Sequence, residues 1–381
     1  MGDELADDLR ACSFDAWYPR LRCVSIRSAI VPLPVGFISY LLDDADGLFL
    51  PPPPAGAAGG ASGGSDASGS PGWTDDEEGD GGGDGARAPA QHGPAAFGFD
   101  VQALFAQIDA AIARLGGAAF PKLNWSAPRD AAWLLGGTMR CACARDVVSL
   151  LKCSQHVAHD LREHAPHLGP PGATEPARAS RSVLALRRWC ELNPARELRC
   201  FAHSGALLAL CQRDRHTHYA HLADERDELV RHVRAFWDAS LAADAEFGVP
   251  RGRPCAVDVY VDGASAVHVV DVAPFADATT DALLFAWEEL AALAARAAVG
   301  SPPDPPELRL VGAEGARVRP SAALYAGIPL ELHPGRIGGE EGRDEGEGQA
   351  ADAAAAIALV RAELQPAGAS SARAHGCAAR C

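Results

Sequence analysis

No apolar run in this 381-residue chain is long enough to span a bilayer, which argues against a transmembrane helix. Basic residues are also short: Lys and Arg number 34 against 50 Asp and Glu, a formal charge of −16. That deficit argues against nonspecific nucleic-acid binding, which depends on neutralising phosphates, but is compatible with a basic protein partner or a locally positive pocket. No C-x-x-C knuckle pair occurs among the 11 cysteines, so a zinc site is not expected. Cys141-Ala142-Cys143 is an isolated hint, and reduced structural thiols are the expectation. Neither a phosphate-binding Gly-x-x-x-x-Gly-Lys-Ser/Thr loop nor a dinucleotide-type glycine turn is present. A Ser–His–Asp triad has no support, and His216, His218 and His221 suit a surface or capping role as readily as a ligand cluster. The start is acidic (Asp3, Glu4, Asp7, Asp8) and not basic then apolar, and neither Gly2 nor Cys377 sits in a lipidation motif. These features predict a cytoplasmic protein without a membrane anchor, monomeric by itself.

What is present divides the chain by composition. Residues 1–44 and 96–180 are expected to form an N-terminal lobe, and 181–335 a C-terminal lobe. Residues 45–95 are rich in Pro, Gly, Ser and Asp, including Pro51–Pro54 and Gly81–Gly83, and are expected to be a disordered acidic insertion. Within it, Trp73-Thr74-Asp75-Asp76-Glu77-Glu78 would suit an acid-directed kinase at Thr74 or be a solvated loop. Residues 336–381 read as a low-complexity tail, and Gly169–Ala179 as a loop between the halves. No internal repeat is apparent.

A helix is predicted from Val101 to Leu115, with Asp100 as cap, apolar residues at helical spacing, and Gly116-Gly117 as terminator. An extended segment follows, Phe120-Pro121-Lys122-Leu123-Asn124-Trp125-Ser126-Ala127-Pro128-Arg129-Asp130. Its lone Lys122 suits either a phosphate contact or a buried strand with a snorkelling ammonium. A second helix is expected over Leu222–Leu241. Leu186-Arg187-Arg188-Trp189-Cys190-Glu191 is an apolar strand ending in cations, for a nucleotide pocket or an exit to solvent. Alternation puts Glu197, Arg199 and Phe201 on one strand face, and Ser204-Gly205 turns the chain toward Arg213. Arg199 and Arg213 on adjoining strands suggest an anion between them.

The β-branched runs Val257–Val261 and Val267–Val272 flank the turn residues Asp262–Ala266 and predict a hairpin. A register symmetric about Ala264–Ser265 places Asp258 opposite Asp271, at a Cβ separation of about 4.5–5.5 Å. Two carboxylates so close repel unless one is protonated or a cation intervenes. Either they hold Mg²⁺ together with waters and phosphates, or one caps a turn or meets an arginine.

Together these segments resemble the cell-division-cycle protein 123 family. The match includes Phe14-Asp15-Ala16-Trp17-Tyr18-Pro19, Leu41-Leu42-Asp43-Asp44, the Phe120–Asp130 run, Leu186–Leu192, Arg199-Cys200-Phe201, Gln212-Arg213-Asp214, Val257–Tyr260 and Leu283–Leu290. The resemblance implies an α+β, ATP-grasp-like two-lobed fold with mostly antiparallel sheets, clasping Mg–ATP. It also implies a chaperone that binds the gamma subunit of translation initiation factor 2 and promotes assembly of the heterotrimer, supporting translation initiation and the cell cycle. By resemblance, Lys122, Asn124, Trp125, Arg187, Trp189, Cys190, Glu191, Arg199, Asp258 and Asp271 would bind ATP, with Asp258 and Asp271 on Mg²⁺. No catalytic residue follows, because no acceptor site is recognisable. An acyl-phosphate ligase and a binding module without nucleotide remain alternatives. The family's metal motif reads Asp-Phe-Asn-Pro-Phe, whereas this chain has Asp271-Val272-Ala273-Pro274-Phe275, which removes one oxygen ligand.

Overall fold

Two tight devices start the architecture. Asp100 accepts a hydrogen bond from the Ala103 amide, and Gly116 and Gly117 both take positive φ, so the helix between them has defined ends. Ser204 and Gly205 also both have positive φ, the geometry that joins two antiparallel strands with matching twist. The computed structural model describes residues 3–43, 98–168, 174, 181–242 and 254–313. The expectations for 45–95, for Thr74 and for 336–381 lie outside the described residues, as does nearly all of the loop expected at Gly169–Ala179.

In chain order the main elements are α1 (Asp3–Ala11), α2 (Phe14–Leu21), β1 (Ser28–Pro32), α3 (Val35–Leu42), α4 (Val101–Arg114), β2 (Ala119–Lys122), α5 (Ala144–Lys152) and α6 (Gln155–His159). These are followed by β3 (Val183–Arg188), β4 (Glu197–His203), β5 (Ala206–Gln212), α7 (His221–Phe236), β6 (Cys255–Val261), β7 (Val267–Pro274), α8 (Trp287–Ala298) and β8 (Glu307–Arg309). The second expected helix is thus α7, extended by one wider turn over Trp237–Leu241. The fold is α+β, with mostly antiparallel sheets. A three-stranded sheet has the order β1-β3-β2, and a five-stranded sheet the order β7-β6-β4-β5-β8, in which only β5 and β8 run parallel.

Strand alternation decides what each sheet face does. In the small sheet, Leu184 and Leu186 enter a core with α3, α4 and α5, while Ala185 faces the cluster of the large sheet. In the large sheet, Leu198, Cys200, Leu210, Val257 and Val259 pack beneath α2 and α7. The opposite face is divided. Phe201, Ala209 and Ala256 bury against Leu290, Ala294 and Ala297 of α8, whereas Arg199, Asp258 and Asp271 occupy the other half. Fully burying a side chain the size of Phe201 or Leu290 contributes about 1.5–3 kcal/mol. The apolar half therefore supplies the rigidity on which the charged half is mounted. The sheets adjoin where Ser25 bridges Val269 of β7 and Ser28 pairs with Arg187 of β3.

Candidate functional site

Asp258 and Asp271 face each other across β6 and β7, as the hairpin argument requires. The route to that register differs from the simple symmetric one. Near the turn Tyr260 pairs with His268 and Val259 with Val269, one residue tighter than a register centred between Ala264 and Ser265. Asp262 makes this tighter turn possible by accepting from the amides of Ala264 and Ala266. Val270 is then an extra residue, and the bulge restores the aspartate pair.

Neither carboxylate is alone. Asp258 receives a two-pronged contact from Arg199, Nε to Oδ1 at 2.7 Å and Nη2 to Oδ2 at 2.9 Å, and a third from Arg213 Nε at 2.9 Å. The anion expected between Arg199 and Arg213 is therefore Asp258 itself. Arg199 also donates to the Asp281 carbonyl at 2.7 Å. Asp271 receives Lys122 Nζ at 2.7 and 2.8 Å, and Lys122 comes from β2 of the other sheet. The repulsion between the aspartates is thus relieved by three side-chain cations. Burial disfavours ionisation of Asp258, yet Arg199 and Arg213 outweigh it and hold the carboxyl well below its usual range. Burial pulls the Lys122 ammonium below its ordinary value, with Asp271 opposing the shift.

Arg187, on the same face of β3 as Ala185 opposite Lys122, also enters this space. Its Nη1 donates to the Val270 carbonyl at 2.6 Å, so the bulge serves as an anchor as well as a register correction. Its Nε and Nη2 are buried without a hydrogen-bond partner, and burial lowers its pKa. Phe14 lies beside both cations, its ring centre 5.6 Å from Lys122 Nζ and 5.7 Å from Arg187 Cζ. Sequence reasoning assigned no role to Phe14; its place at the start of α2, beside the small sheet, depends on tertiary packing.

The other candidates are distributed around this centre. Asn124 is buried, donates to Ser13 Oγ, Asp15 Oδ1 and the Arg181 carbonyl, and accepts from the Val183 amide. It ties α2 to the start of β3. Trp125 donates its indole N–H to the Leu9 carbonyl, and Asp160 holds the next residue through the amide and hydroxyl of Ser126. These contacts brace the exit of the Lys122 strand. Trp189 packs against the small-sheet core, Cys190 is half-buried and Glu191 exposed, all just past β3. Ala273 packs against the aromatic cluster of Phe201 and Phe275, so the substituted position presents a methyl group. Of the three histidines, His218 Nδ1 lies 2.7 Å from the Val311 carbonyl oxygen and His221 packs edge-on to Tyr219; among the described residues no group of three His, Cys, Asp or Glu is gathered as a candidate metal site.

Beside Asp258 a cavity of about 380 Å³ is lined by Arg129, Glu197, Arg213, Arg215, His216 and Asp281, among others. Arg129 reaches it from the first turn of a short 3-10 helix (Arg129–Leu135) that follows β2, its guanidinium 5.5 Å from the Phe120 ring centre. Burial raises the pKa of Glu197, against the pull of Arg129. Around the two aspartates the cations Lys122, Arg187, Arg199 and Arg213 are in excess. Such a site suits a polyanion, and a divalent cation whose remaining ligands are phosphate oxygens and waters. A bare metal ion finds both carboxylates already paired.

The D123 family model matches residues 17–333. The chain belongs to the D123 family. A zebrafish (Danio rerio) protein named translation initiation factor eIF2 assembly protein is 35% identical over 327 residues, covering 84% of this chain and 87% of that one. A Xenopus tropicalis protein of the same name is 32% identical over 280 residues, 73% of this chain and 77% of its own length. The solved structure of Cdc123 from Schizosaccharomyces pombe superposes with a TM-score of 0.56 at 25% identity, covering 80% of this chain and 97% of that one. This D123 protein has, among its described residues, no helix long and apolar enough to cross a membrane.

Proposed function

We propose that this protein is an ATP-binding assembly chaperone for translation initiation factor 2, which receives the gamma subunit and promotes its joining to the other subunits. Relatives covering most of the chain carry the name eIF2 assembly protein, which supports the assembly role. The observation that carries nucleotide binding is Arg187, a buried guanidinium with two unsatisfied nitrogens beside Lys122 and the paired aspartates. Leaving buried charged donors unpaired is costly, and phosphate oxygens would satisfy them. Lys122 and Arg187 would then hold phosphate, while Asp258 and Asp271 would hold Mg²⁺ through a shared coordination shell completed by phosphate and water. The bound metal supplies charge neutralisation of the phosphates. The chain's own part is to fix the two sheets around the ligand and so to shape the partner-binding surface.

Two measurements test this. Titration of the folded protein with Mg–ATP should show saturable binding, and co-purification with the gamma subunit should depend on nucleotide. Absence of binding in protein shown to be folded would refute the nucleotide reading. Ala273 and the intramolecular pairing of both aspartates favour one rival, a binding module that has given up nucleotide. That rival predicts gamma-subunit capture indifferent to ATP.

A further inference from the structure

Asp258 is held by two arginines that differ in exposure and in anchoring. The Arg199 side chain is 7% exposed and has a second anchor at the Asp281 carbonyl. The Arg213 side chain is 36% exposed, follows directly on β5, and lines the 380 Å³ cavity. Its side-chain hydrogen bond is to Asp258 Oδ2, the oxygen that also accepts from Arg199 Nη2. Removing Arg213 from the pair therefore leaves Asp258 still neutralised by Arg199. Asp271 is paired with one cation, Lys122, and that cation crosses from the other sheet.

Resting on the Mg–nucleotide reading above, we infer that Arg213 is an exchangeable counter-ion. It occupies Asp258 when no ligand is bound and transfers to a phosphate oxygen when a divalent cation takes over the carboxylate. Arg213 is thus an additional phosphate-binding residue and the group that makes metal and nucleotide binding interdependent. A metal ion alone must compete with a charged arginine for Asp258, and a metal-free nucleotide must draw Arg213 from a carboxylate that nothing replaces. Only the two ligands together leave every charge paired. Arg199 cannot do this, because it is buried and doubly anchored.

The test compares wild type with Arg213→Ala, each first shown to unfold at a similar temperature, using three titrations: Mn²⁺ alone, followed by the electron paramagnetic resonance signal of free ion; ATP with EDTA; and Mg–ATP, both followed by calorimetry. The exchange predicts opposite signs in the variant. Mn²⁺ alone should bind about tenfold more tightly, and ATP with EDTA about tenfold more weakly, each change being near that expected for one charge-assisted contact. Arg213→Lys should keep part of the ATP affinity that Arg213→Ala loses, since it keeps the charge without the fork. Mn²⁺ and ATP affinities that move together, or do not move, while wild type binds Mg–ATP, overturn the exchange and leave the nucleotide reading intact. Wild type that binds no nucleotide overturns both.

Discussion

The two sheets bring different charges to the site, one as a wall of paired acids and arginines and the other as a wall of cations. The large-sheet wall carries both carboxylates and neutralises one of them internally, Asp258 with Arg199 and Arg213. The small-sheet wall carries cations only, Lys122 and Arg187, and depends on the other wall for Asp271 and the Val270 carbonyl. One pairing holds a sheet together and the other holds two sheets to each other. A ligand that competes for the first alters local charge, whereas one that competes for the second loosens the link between walls.

Breaking the internal pairing should have the largest effect. Asp258→Ala strands Arg199 in the core of the cluster with its neighbour Arg213, and removing one partner of a buried pair costs about 3–5 kcal/mol. Urea unfolding should show that loss as a lower midpoint at unchanged slope. A loss below about 1 kcal/mol would mean that Asp258 is not the counter-ion described above.

The cross-wall pairing should break asymmetrically. Asp271→Ala leaves Lys122, whose side chain is 3% exposed, without its carboxylate, at a cost of about 2–3 kcal/mol. Lys122→Met leaves Asp271, 32% exposed, free to be hydrated, and should cost about 1 kcal/mol or less. Equal losses from the two variants would show that the pair is as desolvated on one side as on the other. Both variants should lose nucleotide binding, whatever their stabilities.

Acid titration tests the Asp258 pairing directly. The Asp258 carboxyl is held below its ordinary 3.8 in the folded protein, so its contribution is complete above that value and is lost as pH falls toward the folded pKa. One proton accounts for at most about 1.4 kcal/mol per pH unit of that slope. Asp258→Asn should therefore flatten stability against pH below about pH 4. An unchanged acid limb in that variant would assign the acid sensitivity to other carboxylates.

Local rules made much of this legible. The cap at Asp100, the double glycine after α4, the turn at Ser204 and Gly205, and the alternation of β4 each depend on neighbouring residues, so residue type and periodicity found them. The Asp258–Asp271 pairing was legible too, although by a register that neglected the Val270 bulge. What periodicity could not reach was the choice of partner. Nothing local to Arg199 and Arg213 says that the anion between them comes from β6, or that Lys122 meets a strand 149 residues away. Asn124 shows the same limit, because its side-chain bonds to Ser13 and the Val183 amide depend on the packing of α2 and β3.

Ala273 offers the smallest effect and the sharpest comparison between the walls. It sits two residues beyond Asp271, opposite Ala256, with its methyl group against the aromatic cluster. Ala273→Asn would introduce an oxygen donor on the large-sheet wall alone, without touching the cations of the small-sheet wall. The amide must leave water for a partly apolar setting, so stability should fall by about 1 kcal/mol in the absence of ligand. With Mg²⁺ present the new oxygen can replace a water ligand, and Mg–ATP should bind about threefold more tightly, or about 0.7 kcal/mol. Binding of ATP in EDTA should not improve, since no cation is there to be coordinated. A gain without Mg²⁺ would place position 273 beside the nucleotide and would count against a metal at the end of β7.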